Sequence, residues 1–215
     1  FSNTNVKLSG YFRSGNNLEW NAGIGMKQER MYKYGYEPQT LSFSNDSLKQ
    51  NFQTISARVG FHNINKTDFG LTYSPEVKID VFSDDFKNSE SNTVVNLPLQ
   101  KTLGTEWAIN LGVTFDLTRL SPKNKTALNN TMYYISPSVL YKSSNINAQI
   151  GIRPSWDNKS FKMFPNVLAD INTEDRRFTF QAGWTGYIRK TTYMYLAGEN
   201  PWLFIPDQLK NTWIE

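Results

Sequence analysis

The chain has 215 residues, of which 39% are apolar and 14% aromatic, a length that fits one domain. A composition this rich in aromatic residues excludes an intrinsically disordered chain. The chain has no cysteine, which excludes a disulfide framework and a thiolate nucleophile. Its one histidine, His62, is too few for the usual zinc sites. The 23 basic residues are interspersed with 19 acidic ones, so the net charge of +4 does not indicate a nucleic-acid partner. We expect a single domain over residues 1–215.

Apolar residues recur at every second position, which favours β-strands over helices. One run of this alternation covers 13 residues, which is long for a strand of a globular protein. No apolar run approaches the length of a membrane-spanning helix. About ten segments show the alternation, and in chain order they are 6–12, 18–26, 55–61, 69–81, 95–99, 107–117, 133–141, 146–156, 161–171 and 178–188.

The connections between these segments alternate in length. Antiparallel hairpins would bring the short turns to one end of a sheet and the longer loops to the other, as in bacterial outer-membrane barrels. The predicted short turns are 15–17, 63–66, 104–105, 143–145 and 172–175. The predicted connections at the other end are longer at 28–51, 83–92 and 119–130, shorter at 157–160, and aromatic at 190–206.

Aromatic residues bracket the aliphatic part of several segments. Trp107 and Phe115 flank one aliphatic run, and Tyr133 and Tyr141 flank the next. Two aromatic girdles around an aliphatic band suit a surface that faces lipid. An apolar face that lines a soluble core would show the same alternation, so periodicity alone leaves the sidedness open. We predict an all-β protein, an antiparallel up-and-down transmembrane β-barrel with about ten strands visible, closed by itself or part of a larger barrel.

Two sets of residues stand out as candidate functional positions. The polar faces of the segments would line the lumen of such a barrel, and the exposed tyrosines and tryptophan of the long connections could contact a sugar or a partner, or pack together over the barrel mouth. The predicted lumen-facing residues are Glu76, Lys78, Asp80, Asp116, Arg153 and Arg189. The predicted loop contacts are Tyr32, Tyr34, Tyr36 and Trp202.

The sequence carries no pattern that indicates catalysis. His62 adjoins a turn without a serine-containing elbow, and the carboxylate pairs Asp84–Asp85 and Glu174–Asp175 read as solvated turn charges. No phosphate-binding glycine motif and no calcium-loop spacing occur. We expect no enzymatic activity, no catalytic residues, no cofactor and no metal.

Three short stretches carry a family resemblance. Phe164-Pro165-Asn166-Val167, Gly183-Trp184-Thr185-Gly186 and Glu199-Asn200-Pro201-Trp202 resemble the barrel portion of Bacteroidota outer-membrane proteins that are TonB-dependent-receptor-like. The resemblance implies a bacterial outer-membrane location, contact with outer-membrane lipid and with other envelope proteins, and a non-catalytic role in transport or envelope assembly. It includes neither a plug domain nor a TonB box, so it does not imply energised transport, and it names no substrate. The alternative is a soluble all-β ligand- or carbohydrate-binding module with the aromatic loops as its site.

Overall fold

The computed structural model describes residues 1–37, 39–175, 177–200 and 202–215. Most of the described residues lie in β-strands, and among them are two short helices, α1 (Asn45–Leu48) and α2 (Tyr193–Glu199). The prediction of an all-β protein is therefore confirmed. The strands are β1 (Ser2–Ser14), β2 (Leu18–Tyr32), β3 (Lys49–Asn63), β4 (Leu71–Tyr73), β5 (Glu76–Asp84), β6 (Ser89–Leu103), β7 (Trp107–Ser121), β8 (Leu128–Lys142), β9 (Ile146–Asp157), β10 (Ser160–Asn172), β11 (Thr179–Thr185), β12 (Tyr187–Arg189) and β13 (Thr212–Ile214).

Eleven of these strands form one antiparallel sheet that runs up and down in chain order, from β1 to β11. β4 and β5 both pair with β6, so the sheet has ten strand positions. Among the described residues, β1 and β11 each have one neighbour, so the sheet is not closed into a barrel. β12 and β13 form a separate two-stranded ribbon.

The predicted strand over 69–81 is interrupted at its centre. Tyr73 is level with Leu99, and Glu76 is level with Asn96, so β4 and β5 keep one continuous register against β6. Two prolines, Pro75 and Pro98, lie at the interruption. Proline has no N–H to donate to the ladder, which explains why pairing stops here and resumes in the same register.

The connections alternate between the two ends of the sheet. We call the end that carries 33–48, 85–88, 122–127 and 158–159 the upper end, and the end that carries 15–17, 64–70, 104–106, 143–145 and 173–178 the lower end. Except for 33–48, the upper connections are much shorter than predicted, because the strands continue beyond the point where the apolar alternation stops. The two ends of the sheet therefore differ less in loop length than predicted. They differ mainly because the strands run past the apolar alternation at the upper end.

The two faces of the sheet have opposite polarity in its central part. We call the face that contacts the C-terminal segment 186–215 the inner face and the opposite one the outer face. Ile24 and Ile150 on the outer face are 64% and 65% exposed, whereas Asp80 and Thr114 on the inner face are 8% and 9% exposed. Apolar side chains thus point outward and polar ones inward, which is the reverse of a water-soluble sheet. Exposed apolar residues of the outer face include Leu8, Ile24, Ile55, Val59, Ile79, Val81, Leu97, Leu111, Val139, Ile150, Ile152 and Trp184.

Towards the upper end this polarity inverts. Phe52, Phe82 and Leu120 lie on the inner face and are buried in a hydrophobic cluster with Tyr193 and Ala197 of helix α2. Outer-face positions at the same level are polar: Gln28, Asn51, Ser83, Ser91 and Arg119. The upper ends of the strands are therefore built like an ordinary soluble domain, with the C-terminal segment completing its core.

Aromatic rings mark two borders of the apolar outer face. Near the lower end, the ring centroids of Trp107 and Tyr141 are 4.7 Å apart. Further up, Tyr133 and Trp156 stack at 5.0 Å, and Phe161 lies 5.1 Å from Trp156. The aliphatic part of β7, β8 and β9 lies between these two rows, as the sequence predicts.

Candidate functional site

A cavity of about 480 Å³ opens on the inner face towards the lower end. Its wall includes Thr72 from β4 and Asn166 from β10, which are five positions apart in the sheet. Flat strands would hold them about 24 Å apart at the usual spacing of about 4.8 Å, so the sheet must bend around the cavity. The lining mixes apolar residues such as Pro98 and Leu168 with hydroxyl and amide side chains, among them Gln100, Asn110, Ser136, Ser138 and Gln149.

Arg153 is the one charged residue in the cavity wall among the described residues. Its Nε donates to Ser136 Oγ at 3.2 Å, and its Nη1 donates to the Gly186 carbonyl at 3.2 Å. Its guanidinium carbon lies 5.4 Å from the centre of the Tyr134 ring. Within the part of the chain that the structure describes, no carboxylate pairs with it. Among the described residues, the cavity wall thus carries a single positive charge.

Three other residues predicted to face a lumen lie together on the inner face of β5. Lys78 Nζ contacts Asp80 Oδ2 at 2.8 Å, and Asp80 Oδ1 accepts from Ser56 Oγ at 2.6 Å. Glu76 Oε2 lies 3.8 Å from Nε of Arg58 on β3. These charges are balanced by each other, so they add little net field to the inner face.

Arg189 does not lie on the inner face of the main sheet, where the strand alternation predicts it. The alternation over 178–188 predicts one strand, but β11 ends at Thr185. A Cβ at Gly186 would come within 2.5 Å of Phe164 Cδ1, so only glycine fits beside that buried ring as the chain leaves the sheet. Arg189 then falls on β12, outside the main sheet and exposed.

The C-terminal segment is anchored to the upper inner face by Glu90. One Glu90 oxygen accepts from the Tyr193 N–H at 2.6 Å and the other accepts from the Met194 N–H at 3.0 Å, at the start of helix α2. Thr192 caps the same helix by accepting from the Tyr195 N–H at 3.1 Å. Burial raises the pKa of the Glu90 carboxyl, and the two N–H donors only partly offset that shift.

A second anchor is an ion pair between Lys190 and Asp116. Lys190 Nζ lies 3.1 Å from Asp116 Oδ1, and it also donates to the Asn130 carbonyl at 2.7 Å. Burial lowers the pKa of the Lys190 ammonium, while the Asp116 carboxylate opposes that shift. The predicted inward position of Asp116 therefore serves to hold the C-terminal segment. Asn211 extends the anchor, because its Nδ2 donates to Asn130 Oδ1 at 2.9 Å and to Asp157 Oδ1 at 2.7 Å.

Asp84 is a structural acceptor rather than a solvated turn charge. Its Oδ2 accepts from the hydroxyl of the buried Tyr193 at 2.8 Å and from Asn88 Nδ2 at 2.8 Å. Burial raises the pKa of the Tyr193 hydroxyl, and the Asp84 carboxylate adds to that shift. The expectation of a solvated turn charge is therefore wrong for Asp84, whereas Asp85 is exposed in the turn, where it accepts from the Asn51 N–H at 2.8 Å.

The predicted loop aromatics partly pack on one another. Tyr36 and Trp202 have ring centroids 6.4 Å apart, and Phe43 lies 5.2 Å from Tyr36 and 5.9 Å from Trp202. Trp202 Nε1 donates to the Tyr34 carbonyl. The rings of Tyr32 and Tyr34 are exposed. Of the two interpretations left open by the sequence, the contacts favour loop closure for Tyr36 and Trp202.

His62 lies at the lower end of β3, where its Nε2 is 3.8 Å from Glu19 Oε1. Over residues 1–37, 39–175, 177–200 and 202–215, no group of three or more potential metal-ligating side chains comes together. In the same ranges, neither helix has the length and apolar character needed to cross a membrane.

Comparison with known proteins provides no relative. No protein-family model, no curated protein and no solved structure matches the chain.

Proposed function

We propose that the chain forms the wall of an integral outer-membrane β-barrel with a non-catalytic role in transport or envelope assembly. The observation that carries this proposal is the reversed polarity of the central sheet, with apolar residues exposed on the outer face and polar residues on the inner face. A surface this apolar and extended is costly in water but is what the hydrocarbon of a bilayer favours.

The slope of the apolar band across the sheet supports tilted strands. Residues that are level with one another on neighbouring strands form a row across the sheet. One such row is apolar on β2, β3 and β5, at Met26, Ile55 and Val81, but polar on β6 and β7, at Ser91 and Arg119. The apolar band thus lies nearer the lower end on β7 than on β2. Strands of a barrel tilt by about 35–45° to the membrane normal, and a band of constant height must then shift along successive strands.

The outer edges of the sheet are compatible with closure. Neighbouring strands are antiparallel throughout, so with ten positions β1 and β11 run antiparallel and could pair with each other. An even strand number is the rule in bacterial single-chain barrels. Closure between β1 and β11, or through further strands of a larger barrel, is part of this proposal.

The upper ends of the strands would project beyond the lipid. There the outer face is polar, and the hydrophobic cluster around Phe52, Phe82, Leu120 and Tyr193 lies on the inner face. The C-terminal segment would then occupy the upper mouth, leaving the cavity beside Arg153 facing the lower end. An interior filled in this way suits controlled passage or assembly better than a wide open channel.

The experiment is to ask whether the purified chain needs a lipid-like phase. In detergent or vesicles we expect a compact β-rich species whose electrophoretic band shifts on boiling. A folded, monodisperse chain in detergent-free buffer would contradict the proposal and favour the soluble binding module. A water-soluble chain whose sugar affinity drops in Tyr34→Ala or Trp202→Ala would identify the aromatic loops as that module's site.

A further inference from the structure

We propose that the cavity beside Arg153 is a binding site for a small polyhydroxylated carboxylate. This inference deepens the proposed function and rests on it, because it takes the inner face as the water-filled interior of a barrel.

Arg153 is held in place but not neutralised. Ser136 and the Gly186 carbonyl take its Nε and Nη1 protons, which fixes the plane of the guanidinium. Among the described residues, Nη2 donates to no protein acceptor and no carboxylate lies opposite. A fixed guanidinium with unused N–H donors suits a carboxylate, which can accept two parallel hydrogen bonds from arginine.

Asn110 provides a second contact point of a different kind. Its side-chain Oδ1 is buried, and within the described part of the chain no donor reaches it. The Oδ1 atom is itself closed off from the cavity, so the group that can meet a ligand is the Nδ2 amide, which can donate to a ligand hydroxyl. β7 and β9 are two strand spacings apart, about 10 Å, so a ligand of four to six carbons can touch both Asn110 and Arg153.

The other polar groups of the wall favour hydroxyls over further charge. Gln100, Gln149, Asn166 and Ser138 can each donate and accept, and none carries a charge at neutral pH. The volume of about 480 Å³ exceeds what a two-carbon hydroxy acid would fill. The geometry therefore points to one carboxylate together with several hydroxyls.

The test compares three probes of similar length by calorimetry on the full chain in detergent micelles. Gluconate has both the carboxylate and the hydroxyls, sorbitol has only the hydroxyls, and hexanoate has only the carboxylate. We expect gluconate to bind at least about tenfold more tightly than either of the others, which corresponds to about 1.4 kcal/mol. Equal affinity for gluconate and hexanoate, or no binding of gluconate, would overturn the inference without any variant being needed.

Two substitutions assign the contacts. Arg153→Gln should reduce gluconate affinity to about that of sorbitol and leave sorbitol unchanged, whereas Asn110→Ala should weaken gluconate and sorbitol but not hexanoate. Arg189→Gln is the matched control, since Arg189 is a cation on β12 outside the cavity. Equal effects of Arg153→Gln and Arg189→Gln would show that net charge alone is being read, against the inference.

The readouts separate this inference from the barrel itself. A heat-modifiable band in detergent without gluconate binding overturns the site and leaves the proposed barrel intact. Gluconate binding by a chain that is folded without detergent overturns the barrel and keeps the site.

Discussion

Replacing Ile150 by lysine tests whether the outer face meets lipid. Ile150 is 65% exposed on the outer face of β9, six residues from Trp156 and four from Ile146 at the strand's start. At about 3.3 Å per residue and a tilt near 40°, it lies about 15 Å in depth from Trp156 and about 10 Å from Ile146. A lysine of ordinary reach cannot bring its ammonium to either border.

The expected cost of Ile150→Lys is about 2–4 kcal/mol if the site lies at the bilayer midplane. On a water-exposed surface the same change would shift the free energy of unfolding by only about 0.5 kcal/mol in either direction. The assay is reversible denaturant unfolding in phospholipid vesicles, with the folded fraction read from the heat-modifiable band. The matched control is Gln28→Lys, an exposed outer-face position on β2 above the apolar band, where we expect no more than about 0.5 kcal/mol. Equal stabilities for the two variants would refute the lipid-facing assignment.

Further predictions concern the C-terminal segment and the cavity wall. Tyr193→Phe should lower the free energy of unfolding by about 1 kcal/mol, because the hydrogen bond to Asp84 is lost, whereas Tyr193→Ala should cost about 3–5 kcal/mol through the cavity left in the cluster. Limited proteolysis of 190–211 would report both, and equal effects of the two changes would contradict the packing argument. The pKa of Glu90 is raised in the folded state. The protonated carboxyl therefore contributes its full stability below the ordinary glutamate pKa, and that contribution is lost as the pH rises through the raised pKa. Glu90→Gln should therefore flatten the pH dependence of unfolding in that window, and a profile parallel to that of the wild type would exclude Glu90 as its source. Gly151→Ala should destabilise the fold by about 1–3 kcal/mol, because a Cβ there collides with the Pro137 carbonyl and with Ser138, and thermal unfolding should show Gly112→Ala, with its nearest atom at 3.6 Å, to be milder.

The central strands could be predicted because each turns a single, uniform apolar face outward. Residues 107–117 alternate between large apolar side chains and small or polar ones, and β7 covers all of them. The upper ends of the strands could not be predicted in the same way, because the apolar residues there move from the outer face to the inner face. Val81 is apolar on the outer face and the next residue, Phe82, is apolar on the inner face. Two adjacent apolar residues look like the end of the alternation, so the sequence pattern predicts a loop where the strand continues.

The candidate site was only partly visible in the sequence. Arg153 and Asp116 could be placed on the polar face by counting along a strand, whereas Arg189 could not, since the chain leaves the sheet at Gly186. Glu90 and Tyr193 gave no sequence signal because their contact joins positions 103 residues apart. Four strand prolines lie where pairing is interrupted: Pro75 and Pro98 at the break between β4 and β5, and Pro137 and Pro154 at a break between β8 and β9.

The long reach of the C-terminal segment determines the order in which the chain can assemble. Met194 Sδ accepts from Thr54 Oγ1 at 3.9 Å across a separation of 140 residues, and Asn211 joins β8 to β9. Contacts between such distant positions carry a large loop-closure entropy, which falls only once the intervening strands have paired. The hairpins, whose contacts are local, can therefore form first. We therefore expect the segment to dock last. A chain truncated before Lys190 should still pair its hairpins but would leave the upper hydrophobic cluster open to water.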